Sequence, residues 1–354
     1  MISDNISSSK RKVKGIVRSN SGLSVIIVAA LLLLVLFFLS FALGRYQISP
    51  IEVIKVLLSR VIPIEQTWPD MVETVMLQIR LPRILAAILI GGGLAISGAS
   101  FQGIFRNPLV SPDILGVAAG AGFGAALGII VWNGDPFMVQ VVAFAFSLIA
   151  VAISYTVSKV VRSNPTLTLI LAGMAIAALF SAFLSFLKYM ADPFDQLPAI
   201  VFWMMGSLSA VDNADLLMVI GPMLVGIIIL ILIRWRLNIL AMGEEEALSL
   251  GVETKKMQGL VIVCSTMVTA SAVCISGVIG WVGLIIPHIG RMLVGPDHKK
   301  LLPVSLILGA FYLLLIDTVT RTAFSVEIPV GILTAIVGVP FFIYLLSRGR
   351  RGWL

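Results

Sequence analysis

Charge is scarce in this chain, and so are the residue types on which catalysis usually leans. Asp, Glu, Lys and Arg make up 12% of the 354 residues, about half the share of a soluble domain, which excludes a water-soluble globule. There are two histidines and two cysteines. Cys264 and Cys274 stand ten positions apart on one expected helix, about 15 Å along its axis, too far to bridge, so both read as packing residues. Neither His288 nor His298 has a neighbour at metal-ligand spacing. The first reads as a helix-end residue bonding locally and the second as a loop residue. No G-x-x-x-x-G-K-S/T occurs, and Gly91, Gly92 and Gly93 have no lysine behind them, so ATP is not bound through a P-loop. No acidic pair falls within one apolar run, which leaves a membrane-embedded enzyme without a catalytic cluster.

Apolar length is what the chain has in abundance: 59% hydrophobic residues and a mean hydropathy of +1.07. About 20 apolar residues cross a bilayer as a helix, and only helices or closed barrels satisfy their backbone there. The runs here are continuous, without period-2 alternation, so the expected fold is an all-α polytopic membrane protein. About ten transmembrane helices are expected, over 22–43, 81–103, 113–132, 137–159, 167–187, 214–235, 257–276, 279–290, 303–321 and 329–347. The eighth is too short to cross alone, and Pro287 near its end suggests a bend. The first run is long enough to stay as a span and lacks a small-residue cleavage site, so no cleavable signal is expected.

An even count puts both termini on one side, and charge says which. Lys10, Arg11, Lys12, Lys14 and Arg18 precede the first span, and Arg348, Arg350 and Arg351 follow the last. Arg106, Lys159, Arg162, Arg234, Arg236, Lys255, Lys256, Arg291, Lys299 and Lys300 fall in loops on that same side. The positive-inside rule makes it the cytoplasm. The net charge of +7 is therefore a signature of topology rather than of nucleic-acid binding. The chain divides into a basic cytoplasmic tail (1–21), a membrane domain (22–347) and a second basic tail (348–354).

Small residues mark helix contacts. Gly116, Gly120, Gly124 and Gly128 recur every four positions on the third span, and Gly93 with Ser97 and Ala99 with Gly103 repeat the pattern on the second, letting neighbouring backbones approach. A pathway wall that leaves room for a bulky solute is the alternative reading.

Two polar features stand out. GEEEALSLGV, Gly243 to Val252, is an acidic, helix-forming island on the cytoplasmic side; composition alone is equally consistent with a solvated loop. Arg80 and Arg83 share a helical face at the outer mouth of the second span, with Pro82 suited to a first-turn position, and Arg321 ends the ninth span outside. Taken alone, these arginines are consistent with snorkelling anchors. Asp317, four positions before Arg321, is costly in a membrane unless paired, so the two are expected to form a structural ion pair. Glu327 is expected to sit at the positive end of the last helix as a local cap.

The runs RLPRILAAILIGGGLAISGASFQGIFRNPLVSPDILGVAAGAG, LILAG, WMMGSLS, LNILAMGEEEALSLGV, GWVGLIIPHIGRMLVGPDHKKLLP and DTVTRTAFSVEIPVGILTAIVGVPFFIYLL resemble, in order and spacing, the FecCD-type permeases. These are membrane subunits of binding-protein-dependent ABC importers for ferric siderophores, haem and cobalamin. The resemblance covers nearly everything from Arg80 to Leu346 and implies a type II ABC importer permease fold in the inner or plasma membrane of a bacterium. It implies coupling helices over 238–256, in which Gly243, Glu244, Glu245, Glu246, Ala247, Leu248, Leu250 and Gly251 engage a separate ATPase. Leu248, Leu250 and Val252 would be buried against that partner, with Gly251 as a C-cap. It also implies that Arg80, Arg83 and Arg321 meet acidic residues on an extracytoplasmic siderophore-binding protein. The expected assembly has two permease subunits, identical or paralogous, and two ATPases that hold the ATP, so no cofactor is expected on this chain. Thr166, Leu167 and Thr168 are candidates for an inner gate. Haem and cobalamin remain alternative solutes. A secondary transporter, the rival of another class, would need several intramembrane charges around a midplane site, and would leave the acidic island unexplained.

Overall fold

The computed structural model describes residues 2–60, 62–160, 165–323 and 326–348; Arg162, Arg350 and Arg351 of the basic loops and tail lie outside the described residues. The long apolar helices are α1 (Ile2–Ala42), α4 (Leu81–Phe105), α6 (Pro136–Val160), α7 (Pro165–Met190), α9 (Asn213–Met242), α11 (Thr254–Ser276) and α13 (His298–Thr322). Three shorter apolar helices join them: α5 (Val117–Val131), α12 (Val282–Val294) and α14 (Val330–Arg348). These account for the ten expected spans. Four short helices fill loops: α2 (Pro50–Leu58), α3 (Asp70–Thr74), α8 (Gln196–Met204) and α10 (Glu244–Ser249). The first was readable from Ser49 and Glu52, which form a reciprocal capping box.

Several boundaries differ from expectation, each for a local reason. α4 starts at Leu81 with Pro82 in its first turn, as expected, but helical backbone precedes it. Helix runs from Asp70 through a π turn at Val75–Arg80 into α4. Pro82 has no N–H for the carbonyl four residues back, and the wider turn upstream absorbs that mismatch. Gly116 does not belong to the third span: its φ of +88° breaks a 3-10 turn, Pro112–Leu115, from α5, and it faces Ala177 of α7. Gly120, Gly124 and Gly128 do share a face, turned to Phe146, Val142 and Val139 of α6. α9 continues to Met242, so Asn238 belongs to the helix rather than to the loop. His298 is no loop residue; it is the buried first residue of α13.

α4 is the centre of the bundle and packs against α13, α11, α9 and α12, while α5, α6 and α7 form a second group joined to it through α11. α4 and α13 approach closely. A side chain on Gly91 would meet the Gly309 carbonyl, one on Gly309 would meet the Gly91 carbonyl, and Gly92 lies against Leu306. Without a strong hydrophobic drive between helices in lipid, such backbone contact is a main source of association.

The helix ends segregate consistently with alternate crossing. At one end Phe41, Tyr46, Arg80, Arg83, Asp317, Arg321 and Glu327 gather. At the other, Gly22 meets Lys300, Gly103 meets His298, and Asn238 meets Asp297. By the charge argument the first is the outer face.

Gly91→Val drives a branched side chain into the α13 backbone and is expected to cost about 1–3 kcal/mol or more through overpacking. Gly221→Ala is the control, because a Cβ at Gly221 meets nothing within 4 Å. Thermal unfolding in detergent should show a clear drop for the first and little change for the second. Equal behaviour would contradict the close-contact account.

Candidate functional site

At the outer end, Asp317 of α13 has no exposed surface, so its charge must be met by the protein. Arg83, one turn into α4, reaches across with Nε and Nη2 each 2.8 Å from Asp317 Oδ1. Arg83 also pairs with Glu327, in the segment before α14. Arg321 Nε lies 3.1 Å from Asp317 Oδ2, yet neither atom finds an aligned hydrogen-bond partner, so this contact is charge pairing rather than a directed bond. Among the described residues Arg321 also reaches the Ser40 carbonyl at 3.4 and 3.5 Å and Thr318 Oγ1 at 3.4 Å. Ser40 and Thr318 join their hydroxyls at 2.8 Å, and Arg80 donates to the carbonyls of Phe41 and Tyr46. α1, α4, α13 and the start of the last span are thereby tied at one point, with three cations against two carboxylates.

The expected outer arginines are thus brought together, but within the chain rather than on an open surface: Arg80 is 5%, Arg83 6% and Arg321 8% exposed. The Asp317–Arg321 pair is present, although Asp317 has its directed bonds with Arg83, 234 positions away. Glu327 pairs with Arg83 instead of capping α14, which starts three residues later at Val330. Spacing showed which arginines share a face but not what faces them. The signal that could have found the pairing was the charge count: two arginines and an aspartate near one membrane face need mutual compensation. A cavity of about 410 Å³ opens beside the cluster, lined by Ala42 to Arg45, Gln47, Ile48, Arg321 and Thr322.

At the cytoplasmic end, the acidic island folds as the short helix α10. Gly243, at φ +148°, separates it from α9. Its C-terminus closes in a Schellman turn: Gly251 at φ +75° donates to the Leu248 carbonyl at 3.0 Å, and Val252 donates to that of Ala247 at 2.9 Å. Ala247 and Val252 are buried under this turn, so Val252, expected to face a partner, packs within its own chain. Leu248 and Leu250 project outward, 55% and 58% exposed. Glu244 accepts from the Thr254 hydroxyl at 3.2 Å, while Glu245 and Glu246 remain exposed. Two large leucines beside three carboxylates make an amphipathic knob. Thr166, Leu167 and Thr168 lie in the first turn of α7, where Leu167 is exposed and the threonines are half-buried.

The FecCD transport family profile matches residues 32–348. The chain belongs to the FecCD transport family. The molybdate import system permease protein MolB of Haemophilus influenzae is 42% identical over 91% of this chain and 95% of its own. A probable iron chelatin transport system permease of Helicobacter pylori is 41% identical over 78% and 83%. Among solved structures, a transporter described as of the metal-chelate ABC type, in an inward-facing conformation, superposes with a TM-score of 0.82. It shares 41% identity over 92% of this chain and 99% of that one. This FecCD protein is accordingly a multi-pass membrane permease of an ABC importer and not an enzyme. The family implies ATPase and binding-protein partners and a permease dimer.

Asp317→Asn leaves Arg83 and Arg321 without their shared anion. It should destabilise the permease by about 3–5 kcal/mol, as expected when one partner of a buried pair is removed. Glu327→Gln, whose carboxylate is 29% exposed, should cost about 1 kcal/mol or less. Thermal unfolding of both variants checks the order, and the reverse order would contradict this description of the cluster.

Proposed function

We propose that this permease forms, with a second permease subunit, the membrane pathway for a ferric siderophore delivered by an extracytoplasmic binding protein and driven by two ATPases. The observation that carries the coupling part is the outward pair Leu248 and Leu250 on a helix whose own core, Ala247 and Val252, is already filled. Apolar side chains held out beside Glu244, Glu245 and Glu246 suit a groove on a partner, with Gly243 and Gly251 setting the ends of the knob. ATP-driven closure of the ATPases would move this knob as a lever.

At the outer face, Arg80, Arg83 and Arg321 are proposed to attract acidic residues of the binding protein. Their net positive balance supplies the field, and Arg321 borders the open cavity through which a partner carboxylate can approach. The pathway is proposed to follow α7, with Thr166, Leu167 and Thr168 as the inner gate. Between Thr166 and Leu187 that helix has no charged residue, which suits passage of a bulky chelate without tight binding. Molybdate is the second reading, favoured by the relative from Haemophilus influenzae.

Uptake of radiolabelled iron as a ferric siderophore and of radiolabelled molybdate, in proteoliposomes holding the complete transporter and its binding protein, separates these readings. The proposal expects ATP- and binding-protein-dependent iron uptake and none of molybdate; the opposite pattern would overturn the solute assignment. In the same complex Leu248→Asp should cut ATPase recovery at least tenfold while the permease stays inserted. Undiminished recovery of a stimulated ATPase would sink the docking role of α10. Raising ionic strength from about 0.05 to about 0.5 M should weaken binding-protein association, since salt shortens the reach through solvent of the cluster's net positive field.

A further inference from the structure

Four residues before the end of α9, and one turn above the acidic knob, the Asn238 carboxamide bridges to the first turn of α13. Its Nδ2 donates to Asp297 Oδ1 at 2.6 Å. Its Oδ1 accepts from the His298 backbone N–H at 2.7 Å and faces His298 Nδ1 at 2.9 Å. The backbone donor fixes which side of the amide faces His298, and the tautomer with a proton on Nδ1 then completes the set. Asp297 caps α13 by accepting from Lys299 N–H at 3.0 Å. Burial by itself would raise the Asp297 carboxyl. The hydrogen bonds from Asn238 and Lys299, with the charges of Lys299 and Lys300, prevail and hold it below its ordinary range, so it is ionised. The His298 ring is backed by Gly103 at the inner end of α4.

This joint sits at one end of a continuous mechanical element. α13 runs about 29–35 Å from His298 to the Asp317 and Arg321 cluster, locked against α4 midway by Gly91 and Gly309. α4 in turn ends outside at Arg83. Gly243, with a φ that favours glycine, breaks α10 from α9 and is the point at which a displaced knob would turn. A pivoting knob moves the rest of the molecule only where α9 is held to something rigid.

We infer that Asn238 is a positioning residue that transmits displacement of the ATPase-facing knob to the α13–α4 pair and so to the outer arginine cluster. The inference rests on the reading of α10 as the ATPase docking helix.

Asn238→Asp tests it, because a carboxylate at 238 faces that of Asp297. In the complete transporter with its binding protein, the expected result is ATPase recovery at the wild-type level, but at least a fivefold loss in uptake per ATP hydrolysed and in stimulation of hydrolysis by the binding protein. Adding Asp297→Asn reverses the polarity of the bridge. The carboxylate at 238 still accepts from His298, the amide at 297 donates to it, and its oxygen still caps Lys299; coupling should return to within twofold of wild type. Asn238→Ala, which adds no charge, should show the same loss if the aspartate variant inserts poorly. Wild-type coupling in Asn238→Ala would overturn the inference, as would a double variant that assembles normally yet stays uncoupled. So would a loss matched in full by lowered thermal stability. Failure of the underlying docking reading shows separately, as normal ATPase recovery with Leu248→Asp.

Discussion

One carboxylate in an apolar bundle, Asp317, sets the terms for the outer half of this permease. A charge with no exposure has to be met by other charges or donors, and the atoms that meet it come from the start of one helix and the end of another: Arg83 from α4 and Arg321 from α13. Once those two cations are inside, further partners follow. Glu327 draws the segment before α14 onto Arg83, and Ser40 with Thr318 brings in α1. A cluster of this kind need not raise net stability over an apolar replacement, but it defines register, because few other relative positions of α4 and α13 would keep Asp317 paired.

Register at that end is matched along the helices by backbone contact. Gly91 and Gly309 bring α4 and α13 so close that neither position has room for a Cβ, and below them Gly103 makes room for the His298 ring. The two helices are therefore joined outside by ions, in the middle by close packing and inside by a ring held through an amide. An importer has to relate events on one face to events on the other, and this pair runs between the outer arginine cluster and the inner end of the bundle. Asn238 of α9 joins it to the helix that leads into the acidic knob, while the cavity beside Arg321 opens it to the outside.

Much of this was legible in the sequence. Hydropathy gave the ten apolar helices, and the small residues on the second and third spans the tight contacts. The propensity of Glu244 to Ala247 and the C-cap at Gly251 were readable as a short helix. What was not legible was pairing at long range: nothing in the sequence around Arg83 points to Asp317, and nothing near Asn238 points to Asp297. Val252 was assigned to a partner because an apolar residue after a short helix carries no mark of whether its own chain covers it. The helical backbone ahead of Pro82 was missed for a similar reason, since the π turn that tolerates the proline has no sequence signature. His298 was misplaced because a single histidine among lysines looks like loop until a capping aspartate, Asp297, is recognised before it. The solute leaves even less trace, as relatives of near-equal identity are named for molybdate and for an iron chelate.

The central claim is that α4 and α13 behave as one body held by the Asp317 cluster. Structures of the assembled transporter, without nucleotide and trapped with ATP, test it directly when superposed on α4. The account predicts that α13 then coincides to within about 1 Å, the scale of a rigid backbone, and that Arg83 keeps Asp317 in both states while the cytoplasmic knob moves. A slide or rotation of α13 along α4, or a state in which Asp317 has left Arg83, would contradict it.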